Sequence, residues 1–274
     1  MRILLITDSH LANGAPELVA NWHAAARYAE RSAIDLTIHL GDISFDAINN
    51  GTQLHEAKAL VNAWPTPMRL IPGNHDIGDN PGTRDVPARE WLSATSRARY
   101  LAVFGEDRWA IDAESWRLIA FDAQLFGSGT PEEDEQWDWI AGEFASASAR
   151  KIIVLLHKPL FENPLTDSDH HMRYVPRAAR DRLLALCRAG DVPLVLCGHA
   201  HQYLDRTVDG VRHVWLPSCA FIIPDAHQAR LGEKIVGVGV LELERDGTRY
   251  GLDVVAADGL VAHDITQLRG LMSV

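Results

Sequence analysis

Short apolar blocks separated by polar residues and turn formers organise the first third of the chain. Residues 3–7, 36–40 and 68–71 are mainly Ile, Leu, Met and Thr, each bounded by polar positions, the pattern of buried strands. Between them, 17–32 and 53–63 are rich in Ala, Leu and Glu and predict helices. The opening therefore reads β-α-β-α-β, which predicts a parallel sheet with right-handed crossovers. Further on, 99–103, 109–112 and 116–121 predict strands. Thr130-Pro131-Glu132-Glu133 predicts a helix running to about Phe144, opened by a capping box with Pro at its first position. Residues 151–156 and 194–197 are further apolar strands, separated by a polar loop at 162–176 and a helix near 178–188. Two hairpin signals follow: Asp209-Gly210 between 202–208 and 211–216, and Asp246-Gly247 between 236–244 and 248–255. They predict a second, mainly antiparallel sheet, with residues 226–274 completing it or forming an interface. No repeat, low-complexity tract or linker interrupts residues 1–274, which read as one domain of two sheets flanked by helices.

Composition narrows the class. Hydrophobic residues make up 47% and charged residues 23%, a globular rather than disordered profile. The 26 Lys and Arg against 37 Asp and Glu leave a formal charge of −11, an acidic field that disfavours nucleic acid as a partner. Cys187, Cys197 and Cys219 cannot all pair and form no C-x-x-C, so they predict buried thiols in a reducing compartment. The apolar start is too short for a signal-peptide core, and no later run approaches the roughly 18 apolar residues of a membrane span. Cytoplasmic residence without a membrane partner is expected, and a homo-oligomer stays open.

Chemistry concentrates just past the predicted strand ends. Asp8-Ser9-His10 follows the first strand; in an extended segment alternate residues point the same way, so Asp8 and His10 can grip one ion while Ser9 faces elsewhere. Gly41-Asp42 follows the second strand. Pro72-Gly73-Asn74-His75-Asp76 follows the third, where Gly73 permits a tight turn presenting Asn74 and His75. His157 ends a fourth and Gly198-His199-Ala200-His201 a fifth. An isolated Asp-x-His or His-x-His is more often solvated or structural than ligating. Five strand ends delivering such groups to one sheet edge, where open α/β sheets bind ligands, make coincidence a poor account.

In these motifs, Asp8-Ser9-His10, Gly41-Asp42, Gly73-Asn74-His75-Asp76, His157 and Gly198-His199-Ala200-His201, the sequence resembles the calcineurin-like metallophosphoesterases. The resemblance implies an α/β fold, a four-layer αββα sandwich of two mixed β-sheets flanked by helices, with a binuclear site between the sheets. It also implies that Asp8, His10, Asp42 and His201 hold one metal and Asp42, Asn74, His157 and His199 the other, with Asp42 as bridge. Imidazole and oxygen donors without thiolate suit Mn, Fe or Zn. Two such ions, about 3.5–4 Å apart, clamp a phosphoryl group and turn a bridging water into a hydroxide nucleophile near neutral pH. His75, not a ligand in the resemblance, would act as acid or phosphorane stabiliser. Asp46 or Asp76 would orient it.

Other residues carry weaker signals. His170, His171 and Arg173 lie in the loop at 162–176, where they could overhang a substrate or simply face solvent. His23, His39, His55, His213, His227 and His263 lack motif neighbours and read as structural or solvated, and most of the eight tryptophans read as core. The segment His157-Lys158-Pro159-Leu160-Phe161 looks like the small bacterial phosphodiesterase branch, although many of its members carry a second histidine where this chain has Lys158. The expected activity is hydrolysis of a small phosphate ester, a diester first, with a broad phosphomonoesterase and a non-catalytic scaffold as alternatives.

Overall fold

In the computed structural model, which describes residues 1–84, 86–162 and 171–268, the opening apolar blocks form β1 (Arg2–Ile6), β2 (Leu36–His39) and β3 (Met68–Leu70). They run parallel and are joined by α1 (Pro16–Arg31) and α2 (Thr52–Asn62). A short turn of helix, α3 (Asn74–Ile77), leads to α4 (Ala94–Phe104) and to the antiparallel pair β4 (Trp109–Ala113) and β5 (Trp116–Ala120). Next come α5 (Pro131–Ser146), β6 (Lys151–Leu155), α6 (Arg177–Ala189) and β7 (Leu194–Cys197). The hairpin β8 (Leu204–Val208) and β9 (Val211–Trp215), the short β10 (Phe221–Ile222), the hairpin β11 (Val238–Leu243) and β12 (Tyr250–Val255), and the short β13 (His263–Asp264) complete the described elements.

One sheet has the order β12-β11-β1-β2-β3 and another β4-β5-β6-β7-β9-β8, while β10 and β13 pair separately. Both larger sheets are mixed: in the first, β1, β2 and β3 are parallel and β11 runs opposite to its neighbours β1 and β12, while in the second the parallel strands have an antiparallel strand at each edge. Alternation along each strand sends one set of side chains between the sheets and the other toward helices. Ile3, Leu5, Ile38, Trp116, Leu118, Ile153, Leu196 and Leu241 fill the space between the sheets. Leu4, Ile6, Trp22, Leu54 and Tyr100 pack the first sheet beneath its helices. Ile119, Val154, Trp137, Ile140 and Leu183 do the same for the second sheet with α5 and α6. The result is a four-layer αββα sandwich of mixed sheets.

Three expectations are corrected. Residues 99–103, read as a strand, lie inside α4. Ser93 caps that helix by accepting from the Ser96 N–H at 3.1 Å, and Ser96 and Tyr100, four residues apart, are its buried positions. A five-residue apolar block carries too little periodicity to separate the two states. The tail hairpins do not build a sheet of their own: β8 and β9 extend the second sheet, whereas β11 and β12 join the first through β1. The Thr130 side chain makes no cap for α5; instead Glu133 accepts the backbone N–H groups of Gly127 and Gly129, each at 2.8 Å, folding the preceding loop onto the helix start.

Trp116 ties the sheets together. Its ring is 1% exposed in the inter-sheet core, and its indole N–H donates to the Glu244 carbonyl, just past β11, at 2.7 Å. Trp116→Ala should lower stability by about 3–5 kcal/mol in urea unfolding, the usual cost of emptying a buried aromatic site. A loss below about 0.5 kcal/mol would show that the sheets pack without it.

Candidate metal centre

The parallel strands β1, β2, β3, β6 and β7 end at one edge of the sandwich, and the chain turns there in an unusual way. Asp8 (φ 52°), His10 (φ 46°), Asp42 (φ 54°), His199 (φ 65°) and His201 (φ 53°) all adopt the left-handed region, which is costly for residues with a Cβ. Asp8 and His10 thus share a site through sharp turns, not through the extended alternation expected of them. Backbone bonds enforce this path: the N–H groups of Asp8, His10 and Leu11 donate to the carbonyls of Gly41, Asp42 and Ile43, zipping the two loops together.

Close approach does the rest. A Cβ on Gly198 would stand 1.9 Å from Thr7 Oγ1 and 2.6 Å from Asp8 Oδ2. Gly73 opens the tight turn that presents Asn74 and His75, and does so from an extended backbone, with φ −113° and ψ −177°. Its requirement is steric, because a Cβ there would lie 2.2 Å from Asp42 Oδ1.

These turns bring Asp8, His10, Asp42, Asn74, His157, His199 and His201 into one constellation. Asp8 Oδ1 lies 3.3 Å from His201 Nε2, and His201 Nε2 lies 3.1 Å from His10 Nε2. His10 Nε2 is 3.8 Å from Asp42 Oδ2, which is 3.3 Å from His157 Nε2. His157 Nε2 is 3.2 Å from both Asn74 Oδ1 and His199 Nδ1. Among the described residues, three groups have ligand atoms within 4.8 Å of one another: Asp8, His10 and His201; Asp42, His157 and His199; and His10, Asp42 and His75.

The outer ring nitrogens are held by backbone. His157 Nδ1 donates to the Leu40 carbonyl at 2.8 Å, His201 Nδ1 to Phe221 at 3.1 Å, and His199 Nε2 to Met172 at 3.0 Å. Each assignment turns the opposite nitrogen inward as a lone pair, the tautomer a metal needs. Lone pairs facing carboxylate oxygens at 3.3 Å, or another imidazole nitrogen at 3.1 Å, repel unless a cation or a proton lies between them. Asp8 Oδ1 is buried and accepts no hydrogen bond. Buried oxygen and imidazole donors without thiolate fit hard or borderline divalent ions.

The charges agree. Burial would raise Asp42, but His157 and His75 beside it hold it well below the usual carboxylate range. Burial, reinforced by His75, keeps His10 neutral, and burial with His157 and Lys158 does so for His199. For His157 burial pulls down, yet Asp42 outweighs it and raises the imidazole to about 9, so without metal a proton occupies that position.

His75 stands beside the donors. Its ring meets His10 edge-on at 4.7 Å, and its backbone N–H donates to Asp42 Oδ1 at 2.8 Å. Its Nδ1 donates to the Phe45 carbonyl at 2.5 Å, which corrects the expectation that Asp46 or Asp76 orients it. Asp76 instead accepts from the N–H groups of Ile43, Ser44 and Gly73 and from Ser44 Oγ, pinning the two loops together. Asp46 accepts from Asn49 in a surface turn. Burial opposes charge on His75, but Asp42, the Phe45 carbonyl and Asp76 raise it.

Of the expected loop contacts, His170 lies outside the described residues. His171 stacks on Tyr174 at 4.9 Å, and Arg173 influences the Tyr174 hydroxyl, which donates to Glu162; it is the carbonyl between them, Met172, that reaches the centre. Supports with no motif signal are Thr7, donating to Asp8 Oδ2 at 2.6 Å, and Ser218, donating to the Asp8 carbonyl at 2.9 Å. His39, read as structural or solvated, is fully buried between Ser9 Oγ and the Gly41 N–H, where burial lowers it to about 3. No helix among the described residues is long and apolar enough to cross a membrane.

A family model described as calcineurin-like phosphoesterase matches residues 1–203. The chain is similar, at 28% identity over 258 residues, to the 3′,5′-cyclic adenosine monophosphate phosphodiesterase CpdA of Escherichia coli K12, covering 90% of this chain and 87% of that one. It is 27% identical over 199 residues to the glycerophosphodiester phosphodiesterase GpdQ of Enterobacter lignolyticus, covering 68% and 64%. Among solved structures, the purple acid phosphatase PPD1 of yellow lupin (Lupinus luteus) matches with TM-score 0.71 at 16% identity, across 96% of this chain and 52% of that one. At that identity the likeness is one of fold, and the chain spans about half the length of that phosphatase. With the family model matched from β1 through the Gly198–His201 turn, across every donor-bearing loop, the chain belongs to the calcineurin-like phosphoesterases.

Proposed function

We propose that the protein hydrolyses small phosphodiesters through a binuclear metal centre. The observation that carries this is the adjacency of two buried oxygen and nitrogen donor groups, Asp8-His10-His201 and Asp42-His157-His199, with His75 alongside. Asp8, His10, Asp42 and His201 would hold one ion and Asp42, Asn74, His157 and His199 the other, Asp42 being common to both. Two divalent ions of Mn, Fe or Zn would supply a hydroxide near neutral pH and neutralise charge on the phosphoryl oxygens. Residues 1–274 act as one catalytic unit, because both sheets contribute donors. CpdA and GpdQ are both named for phosphodiester substrates, which favours a diester over a broad phosphomonoesterase. A non-catalytic scaffold is disfavoured because no donor is missing. Three buried free cysteines suit a reducing compartment such as the cytoplasm.

The chain's own contribution to chemistry rests on His75. The Phe45 carbonyl fixes Nδ1–H, so Nε2 is the atom that can face the reacting phosphoryl group. Raised by Asp42 and its other partners, the imidazole holds a proton at Nε2 for the departing alkoxide.

After loading with Mn²⁺, bis-p-nitrophenyl phosphate, cyclic nucleotides and glycerophosphodiesters should be compared with p-nitrophenyl phosphate. Turnover of at least one diester above the monoester is expected. Turnover of the monoester alone would point to a monoesterase, and a folded protein that retains no metal would point to a scaffold.

Asp42→Ala should lose both ions in elemental analysis and nearly all turnover, because it removes the shared carboxylate. Equal metal content in wild type and variant would refute the assignment. Metal must displace the proton that Asp42 keeps on His157 up to about 9, so affinity for Mn²⁺ should climb as pH rises toward that value. A pH-independent affinity would remove His157 as a ligand. His75→Ala should spare metal content but lower kcat by about 10²–10⁴-fold for an alkoxide leaving group. The loss should be smaller for p-nitrophenolate, which departs without a proton. Equal losses on both would assign His75 to stabilising charge on the phosphoryl group instead.

A further inference from the structure

Lys158 follows His157 directly, yet it points away from the donors into the protein and is fully buried. Its Nζ forms an ion pair with Asp79 and donates to Asn80 Oδ1 at 2.9 Å. Both partners belong to the loop that begins at Asn74. Asp79 Oδ1 also accepts from the Asn80 N–H at 2.7 Å and from Thr83 Oγ1 at 3.3 Å. Asn80 Nδ2 donates to the carbonyls of Ala123 at 2.7 Å and Phe126 at 2.9 Å, in the loop that follows β5. Three loops, those after β3, β5 and β6, are thus tied together through Lys158 and Asn80. The first comes from one sheet and the other two from the opposite sheet.

From this geometry we infer that Lys158 is a positioning residue of the metal centre. With Asp79 and Asn80 it clamps the loop after β3 to the end of β6, and so sets the spacing of Asn74 and His157, which stand 3.2 Å apart. The inference rests on the binuclear reading and deepens it, because those two donors serve only one of the two ions. Of the other ion's donors, Asp42 is shared and touches the clamped loop through the His75 N–H, whereas Asp8 and His201 are anchored elsewhere. Thr7, Ser218 and the His199 N–H hold Asp8, and the Phe221 carbonyl orients His201. Loosening the clamp should therefore weaken one ion and leave the other.

The charge itself is not the essential part, since an ion pair this deep is commonly replaceable by neutral groups, whereas leaving one partner alone is strongly destabilising. The test is Lys158→Met combined with Asp79→Asn, which removes both charges together. Asp79→Asn alone is the milder variant, because it keeps a side-chain oxygen to accept from Lys158, the Asn80 N–H and Thr83. Each is titrated with Mn²⁺ alone, with bound ions counted by elemental analysis and the spin-coupled pair followed by electron paramagnetic resonance. Melting of the metal-free protein reports on the fold.

In wild type two ions and a coupled pair are expected. In the variants, at an unchanged melting midpoint, one ion should bind as before while the other weakens by about 10–100-fold, with the coupled signal replaced by an isolated one. Two ions bound at wild-type affinity would overturn the proposal and leave the bridge a purely structural ion pair. Equal weakening of both ions, or failure of both variants to fold, would overturn it as well. If wild type itself holds only one ion, it is the binuclear reading that falls, a separate outcome visible in the control.

Discussion

Two carboxylates, Asp8 and Asp42, lie almost without solvent contact in the middle of a cluster of imidazoles. Removing an ionised carboxylate from water costs several kcal/mol even after the protein relaxes, so each must be compensated locally. Part of the compensation is protein: Thr7 Oγ1 and the His199 N–H donate to Asp8 Oδ2, and the His75 N–H donates to Asp42 Oδ1. The remaining oxygens face imidazole nitrogens whose outer N–H groups are already committed to backbone carbonyls. That leaves an inner surface of lone pairs that metal cations or protons must satisfy. The left-handed turns and glycine close approaches around it are the conformational cost of assembling such a surface, and the two packed sheets sustain them.

How much of this could be read beforehand depends on whether the signal was local. Apolar runs and turn formers located β1, β2, β3, β6 and β7, because a buried strand must be apolar along its whole length and must stop at polar residues. The hairpin turns at Asp209-Gly210 and Asp246-Gly247 revealed which strands pair with each other. They could not reveal which sheet each hairpin joins, since that depends on contacts with β1 and β7 far away in sequence. Residues 99–103 were misread because their helix is specified by Ser93 and by burial four residues apart, both partly outside the block.

The same division runs through the site. Donor residue types at successive strand ends were legible because ligand chemistry restricts them to a few side chains. Their supports were not, because most are backbone atoms: the carbonyls of Leu40, Phe45, Met172 and Phe221 have no residue type to betray them. Lys158 was visible only as a departure from the second histidine common in related motifs. Its buried partner Asp79 lies 79 positions away, a pairing no local pattern encodes.

A chain of charge −11 sets a problem for an enzyme of anionic esters, since its general field repels them. The proposed metal centre would resolve this only when filled. Without ions, Asp8 and Asp42 keep the floor of the site negative, and proton uptake by His157 offsets only part of it. On the binuclear reading, two divalent cations would outweigh both carboxylates, and with the raised His75 would turn the same floor into a local anion site at the short range where screening is weak. On that reading, attraction for the phosphate and the means of cleaving it would arrive together with the metal. An acidic surface around such a floor would also work against extended polyanions, whose many phosphates would meet repulsion beyond the centre, and so favours the proposed small esters with their single phosphate.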